Sequence, residues 1–152
     1  MLQITIRNAV LDDAAALAGL SHTLGYPAST HKVRARLLPI VDSNDNCVLV
    51  ACAADGTVVG WVHVFLALRI ETDEFAELGG LVVAEDQRGQ GIASRLMRTA
   101  ENWTIARGVN RMRVRSRSTR TAAHAFYQNL GFTKMKEQEV FEKNLKQDDE
   151  ES

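Results

Sequence analysis

Proline and cysteine are both scarce, two of each in 152 residues. The two cysteines, Cys47 and Cys52, lie at an odd spacing in one predicted strand. Alternation sends their side chains to opposite faces, so a bond between them is excluded without moving backbone. Free, buried thiols in a reducing compartment are expected. No apolar run approaches the ~18 residues that a membrane span needs. The first residues, MLQITIRNAVLDD, have neither a basic start nor a long apolar stretch, so no signal peptide is expected and the cytoplasm is the expected location. Charge of one sign is missing as well. The net charge of −1 excludes the chain as a whole from acting as an electrostatic trap for nucleic acid or an anionic membrane. No repeat, linker or low-complexity segment interrupts it.

What is present is the make-up of one ordinary globular domain, 45% hydrophobic and 24% charged. Its length is enough to bury a core without metal or disulfide. Alternation around Ile4 and Ile6 predicts a strand over 3–8. Asp12 or Asp13 can cap a helix that carries Leu17, Leu20 and Leu24 and stops near Gly25-Tyr26-Pro27. Ser29 or Thr30 can cap a second helix with Val33, Leu37 and Leu38. A polar loop over 41–46 follows. Strands over 47–53 and 57–68 are joined by Ala54-Asp55-Gly56, where Asp-Gly is a strong hairpin signal.

A fourth strand is predicted over 75–83, then a long helix over 91–107 with Ile92, Leu96, Ala100, Trp103 and Ile105 as its apolar positions, ended by Gly108. A short strand over 112–115 and a helix over 119–129 come next. Gly131-Phe132 then turns the chain into one or two last strands ending near Leu145. The order is β-α-α-β-β-β-α-β-α-β-β, a mixed α/β sheet in a single domain over 1–145. The remainder, 146–152, is an acidic tail expected to be disordered.

The informative stretch joins the fourth strand to the long helix: Leu81-Val82-Val83, polar residues, then Arg88-Gly89-Gln90-Gly91-Ile92-Ala93. A helix N-terminus offers unpaired N–H groups and the positive end of the dipole, and glycines let a phosphate come close to backbone. Arg88 adds a fixed charge suited to phosphate oxygens. The chemistry suggested is pyrophosphate binding. A dinucleotide fingerprint is excluded, because Ser94 stands where its third glycine or alanine belongs. A nucleoside-triphosphatase loop is excluded because no Lys follows a spaced glycine pair. What remains is Arg-x-x-Gly-x-Ala over Arg88, Gly91 and Ala93.

That pattern resembles the GNAT acyltransferases, which use acetyl-coenzyme A (acetyl-CoA) and carry Gln/Arg-x-x-Gly-x-Gly/Ala between the fourth strand and the long helix. Ala123-His124-Ala125-Phe126-Tyr127 with Leu130-Gly131-Phe132 resembles a second segment of the family. The likeness runs from Ile4 to about Leu145. The pairing of Ala76-Glu77-Leu78 with the second segment is similar to small-amine acetyltransferases of the aminoalkylphosphonate and aminoglycoside types.

The resemblance implies a role for each matching position. The backbone of Leu81, Val82 and Val83 would pair with the pantetheine arm. The amides from Arg88 or Gly89 through Gln90, Gly91 and Ile92 to Ala93 would hold the pyrophosphate. Tyr127 would protonate the departing thiolate, and Glu77 would take the proton from the amine, directly or through water. Where the family often has Asn after the fifth strand, this chain has Arg117. The implied activity is transfer of acetyl from acetyl-CoA to a primary amine of a small molecule, through a ternary complex. The other readings are a non-catalytic acetyl-CoA sensor, a protein N-acetyltransferase and an RNA-binding α/β domain.

Tyr26, His63, Glu71 and Glu74 are the candidates for the acceptor side, with Asp73 beside them. His22, His31, His63 and His124 show no ligand spacing with each other or with cysteine, so no metal is expected. The run Arg111-Met112-Arg113-Val114-Arg115-Ser116-Arg117 puts four arginines on one strand face. It lacks interleaved aromatics, so cross-strand pairing with Glu137, Glu139 or Glu142 is expected rather than nucleic acid. The expected partners are a small-molecule amine and, as an allowed assembly, a second copy in a homodimer, with neither nucleic acid nor membrane.

Overall fold

The computed structural model describes residues 3–23, 25–115 and 121–146. Leu24, Ser116, Arg117, the expected start of the last helix at 119–120, and the tail at 147–152 lie outside the described residues. Internal contacts divide the chain into two compact units that meet in sequence between Arg115 and Ser116.

The first unit holds a mixed sheet and three α-helices. In chain order these are β1 (Thr5–Asn8), α1 (Ala14–His22), α2 (Thr30–Val41), β2 (Asn46–Cys52), β3 (Val58–Ala67), β4 (Phe75–Val83), α3 (Ile92–Ala106) and β5 (Met112–Val114). The strands lie side by side in sequence order. The first four pair antiparallel, and β5 joins β4 in parallel. This is the mixed α/β class expected, and β4 has the predicted bounds.

Local chemistry accounts for most boundaries. The Ser29 hydroxyl accepts from the Lys32 amide at 3.1 Å, capping α2. Gly56, at φ 91°, and the Asp55 carboxylate, which accepts from the Thr57 amide at 3.0 Å, make the β2–β3 turn. Gly91 starts α3 and Gly108 follows it, both left-handed, at φ 79° and 80°.

Asp13 departs from its expected role. It stands at the start of α1 but caps no helix amide there. Its buried carboxylate takes both guanidinium nitrogens of Arg7, at 2.8 and 2.9 Å, and the Val10 amide at 2.8 Å. These bonds, those of Arg7 first, hold the carboxyl below its ordinary range. Asp13→Asn is expected to cost about 2 kcal/mol, the charge-assisted part of the bonding, moderated because Arg7 is half exposed. A depressed carboxylate pKa stabilises above the ordinary value of about 4 and stops doing so as pH falls through the folded value. The melting-temperature gap between parent and variant should therefore be full at pH 7 and close toward pH 2. A gap of equal size at both would contradict this account.

Helices cover both faces of the sheet. Gly60 and Trp61 are neighbours on β3 and so face opposite ways. A Cβ placed at Gly60 would meet Leu96 at 3.3 Å and Ile92 at 3.5 Å, both of α3. Trp61 packs instead with Leu17 of α1, Leu37 of α2, Val50 and Cys52. Cys52 belongs to that face, and Cys47, one odd spacing away, points to the other; both are buried and free. Burial pushes the Cys47 thiol up to about 11, so it is an inert packing group.

One irregularity shapes the centre of the sheet. His63 pairs with Gly80 but Val64 pairs with Leu78, which leaves Gly79 as an extra residue, a β-bulge in β4. Residues Trp61, His63 and Phe65 share the α1–α2 face, and the pairing of Phe65 with Glu77 puts Glu77 there too.

The second unit holds α4 (Thr121–Asn129), closed by Gly131 at φ 98°. The one or two strands expected after Phe132 are not found among the described residues. The reason is legible in the pattern. Val140 and Phe141 are adjacent, so in a strand they would face opposite ways, and Met135, Val140, Phe141 and Leu145 are all highly exposed. Without one apolar face to bury, the segment gains little from pairing. Glu137 pairs with Lys134, three residues away, at 2.7 Å, and Glu139 and Glu142 are exposed and outside the ion pairs of the described residues.

Candidate active site

β5 accompanies β4 only over Ala76, Glu77 and Leu78. From Gly79 to Val83, β4 is paired with β3 on one edge, and its other edge is not taken by β5. Leu81, Val82 and Val83 therefore lie past the end of the pairing with β5. The strand is held in place by burial of Val82 and Val83.

Beyond it the chain makes one 3-10 turn (Glu85–Gln87), and Arg88 is extended. Gly89 and Gly91 then take left-handed backbone, at φ 81° and 79°. No side chain caps α3, and a Cβ at either glycine would meet nothing within 4 Å. The first amides of a helix have no intrahelical acceptor, so those of Ile92 and Ala93 open onto this space with the positive end of the dipole behind them. Ile92, Leu96, Met97 and Ala100 anchor the helix beneath. Arg88 folds back, its Nε donating to the Val83 carbonyl at 3.3 Å, which ties the turn to the end of the strand. The residues named from the sequence for the cofactor thus form one continuous strand, turn and helix start. The open glycines and uncapped amides fit a pyrophosphate.

Glu77 lies upstream on the same strand, half-buried. Its Oε2 accepts from Arg115 Nε at 3.3 Å. Arg113 spreads over the buried Phe75 ring at 4.1 Å, with Arg69 5.4 Å from the same ring. Arg113 and Arg115 of the arginine strand thus both meet side chains of β4.

The acceptor-side candidates are not gathered in one place. Tyr26 is 62% exposed in the α1–α2 connection, and Glu71 and Glu74 are exposed in the β3–β4 connection. His63 is half-buried on β3, and its Nε2 lies 2.8 Å from Asn46 Oδ1. Burial lowers its pKa. Asn46, assigned from the sequence to a loop, opens β2 and was not foreseen as a partner; nor was the Gly79-Gly80 bulge, although two glycines inside a strand are a bulge signal.

In the second unit, Tyr127 is half-buried on α4. Its ring meets Phe126 and Phe132 edge-on, at 5.4 and 6.0 Å, and its carbonyl accepts from the Phe132 amide at 3.0 Å. Phe126 is 41% exposed. A cavity of about 210 Å³ lined by Asn8, Cys47 and Trp103, among others, contains none of the candidate residues. Among the described residues no group of three or more His, Cys, Asp or Glu could hold a metal ion, and no helix is long and apolar enough to cross a membrane.

Comparison with known proteins bears on what this strand and glycine turn belong to. Residues 13–132 match the model of the Acetyltransferase (GNAT) family. The chain belongs to the GNAT acetyltransferase family. Among curated relatives, the aminoglycoside N(6')-acetyltransferase type 1 of Stenotrophomonas maltophilia is 31% identical over 132 residues, 84% of this chain and 85% of the relative.

Two solved structures share the fold of this GNAT chain. The aminoglycoside antibiotic 6'-N-acetyltransferase AAC(6')-Ih of Acinetobacter baumannii has a TM-score of 0.84 at 18% identity, covering 95% of this chain and all of its own. AAC(6')-Iy in complex with CoA has a TM-score of 0.83 at 20% identity, covering 94% and 96%. At such identities the likeness carries the fold alone. The family and its curated relatives make the GNAT chain an acetyl-CoA-dependent N-acetyltransferase.

Proposed function

We propose that this GNAT enzyme moves acetyl from acetyl-CoA to a primary amine of a small molecule, by direct attack in a ternary complex. The observation that carries the reading is the strand with one edge left by β5, leading into two left-handed glycines and an uncapped helix start. The names of its curated relatives support an amine-bearing sugar of the aminoglycoside kind as the first acceptor to try. When bound, acetyl-CoA supplies an activated thioester.

The chain's residues divide the rest. The backbone of Leu81, Val82 and Val83 lies along the pantetheine arm, and the amides from Gly89 to Ala93 receive the pyrophosphate, the Arg88 amide donating instead to the Glu85 carbonyl at 3.5 Å. Glu77 draws the acceptor ammonium and takes up its proton, directly or through water. Tyr127 gives a proton to the thiolate as the C–S bond breaks. Tyr26, His63, Glu71 and Glu74 contribute to the acceptor side. We place the activity in one domain over 1–145, in the cytoplasm, with a homodimer as its assembly.

Glu77→Gln tests the proton step. Turnover should fall most at neutral pH and less at high pH, where more of the amine is already deprotonated. An equal loss at every pH would leave Glu77 a structural or binding role, with the Arg115 pair as its purpose.

A further inference from the structure

The α1–α2 face of β3 and β4 carries a second group able to handle a proton. Asn46 Oδ1 can only accept, so His63 Nε2, 2.8 Å away, carries the hydrogen. The Asn46 amide is turned that way by its own Nδ2, which donates to Ser43 Oγ at 3.0 Å. The tautomer is thereby fixed, and the lone pair sits on Nδ1. That atom looks across to Gly79: a Cβ there would be 3.1 Å from Nδ1 and 3.3 Å from the Phe65 ring. Gly79 is exposed and is the extra residue of the bulge, so β4 has no side chain in front of the imidazole. Such bare backbone leaves room for a ligand to approach closely.

We infer that His63 is a further catalytic residue of the acetyl transfer, its Nδ1 taking a proton from the acceptor ammonium beside the bulge. The inference rests on the proposed reading that the acceptor amine comes to this face. One N–H bond of the ammonium breaks, its proton goes to Nδ1, and the freed nitrogen lone pair forms the N–C bond at the acetyl carbon. The C–S bond breaks, coenzyme A leaves as the thiol with a proton from Tyr127, and the second N–H proton is lost to solvent, from which the phenol is reprotonated. The imidazolium then returns its proton to water. Glu77 shares the face, but Arg115 already occupies one of its oxygens, so a second acceptor takes up protons that the carboxylate does not.

The electrostatic surroundings suit a neutral imidazole. On this face β4 brings Glu77 with its Arg115, β5 brings Arg113, and β2 brings the uncharged Asn46. The helix packed there against β3 is α1, whose one titratable residue is His22 in its last turn. An amide partner, unlike a carboxylate, does little to hold the imidazolium, so the proton is readily given up again.

The test compares parent, His63→Gln, Asn46→Ala and the double variant His63→Gln/Glu77→Gln, with acetyl-CoA and any amine that the parent acetylates. Gln keeps an N–H for Asn46 but offers no base. His63→Gln should lose on the order of 10-fold in kcat at neutral pH, with KM for acetyl-CoA unchanged, and recover as pH rises past the point where the amine is free. Asn46→Ala, which frees the tautomer, should lose a few-fold in kcat in the same pH direction, and it decides the matter if His63→Gln does not fold. The double variant should lose more than either single one. A parental kcat in His63→Gln, or a loss that is flat with pH, overturns the role of His63 alone. A parent that acetylates no amine strikes the proposed function itself, and the role of His63 with it.

Discussion

Tyr127→Phe is expected to turn over ~10²-fold more slowly than the parent while binding coenzyme A equally well. The change removes one oxygen and keeps the ring, which meets Phe126 and Phe132 edge-on and sits half-buried on α4. Ring packing is therefore preserved. Coenzyme A affinity should also be kept, because the site proposed for it is made of strand backbone and helix amides. A phenol, with an ordinary pKa near 10, can give its proton to a thiolate as the C–S bond breaks. The loss belongs to kcat rather than to KM for acetyl-CoA. Steady-state rates beside a coenzyme A binding curve make the measurement. Full activity in the Phe variant would strip Tyr127 of the acid role.

The second large effect concerns Gly91. The parent should melt at a higher temperature with acetyl-CoA present, by about 2.7 kcal/mol of stabilisation at one hundred times Kd, because only the folded chain binds. Free adenine dinucleotides should do much less. Gly91→Val is expected to abolish most of that shift. Its side chain would project into the open space over the α3 amides, where nothing now stands within 4 Å. Valine at φ 79° is also strained, at a cost of a few kcal/mol. Gly108→Val separates the two effects. Gly108 has the same left-handed backbone, at φ 80°, and equally open surroundings, but it lies past the far end of the helix. It should lower the melting temperature of the free protein and leave the acetyl-CoA shift intact. Gly91→Val binding coenzyme A as tightly as the parent would remove the glycine turn from the cofactor site.

What the sequence made legible was local. β4 falls at its predicted bounds because acidic residues flank a largely apolar run, and α3 is bracketed by two glycines whose left-handed backbone few other residues adopt. The hairpin at Asp55-Gly56 follows from the same chemistry. What was not legible depended on partners distant in sequence. Nothing near Glu77 announces Arg115, since the two meet only once β5 lies parallel to β4. Asn46 reads as a loop residue until β2 and β3 pair and bring it to His63. The strands expected after Phe132 came from short apolar pairs with no face in common, a pattern that local propensity cannot settle. The glycine turn was therefore foreseen, and the surroundings of Glu77 and His63 were not.

The central claim is that this GNAT chain acetylates a small-molecule amine with acetyl-CoA. The most direct measurement is thiol release from acetyl-CoA across a panel of amines, including aminoglycosides, with the acetylated product identified by mass. The account predicts steady thiol release with at least one small amine, one equivalent of N-acetyl product for each thiol formed, and loss of both in Tyr127→Phe. Tight binding of acetyl-CoA with no product from any amine would contradict it, and would make the chain a sensor of the cofactor rather than an enzyme that uses it.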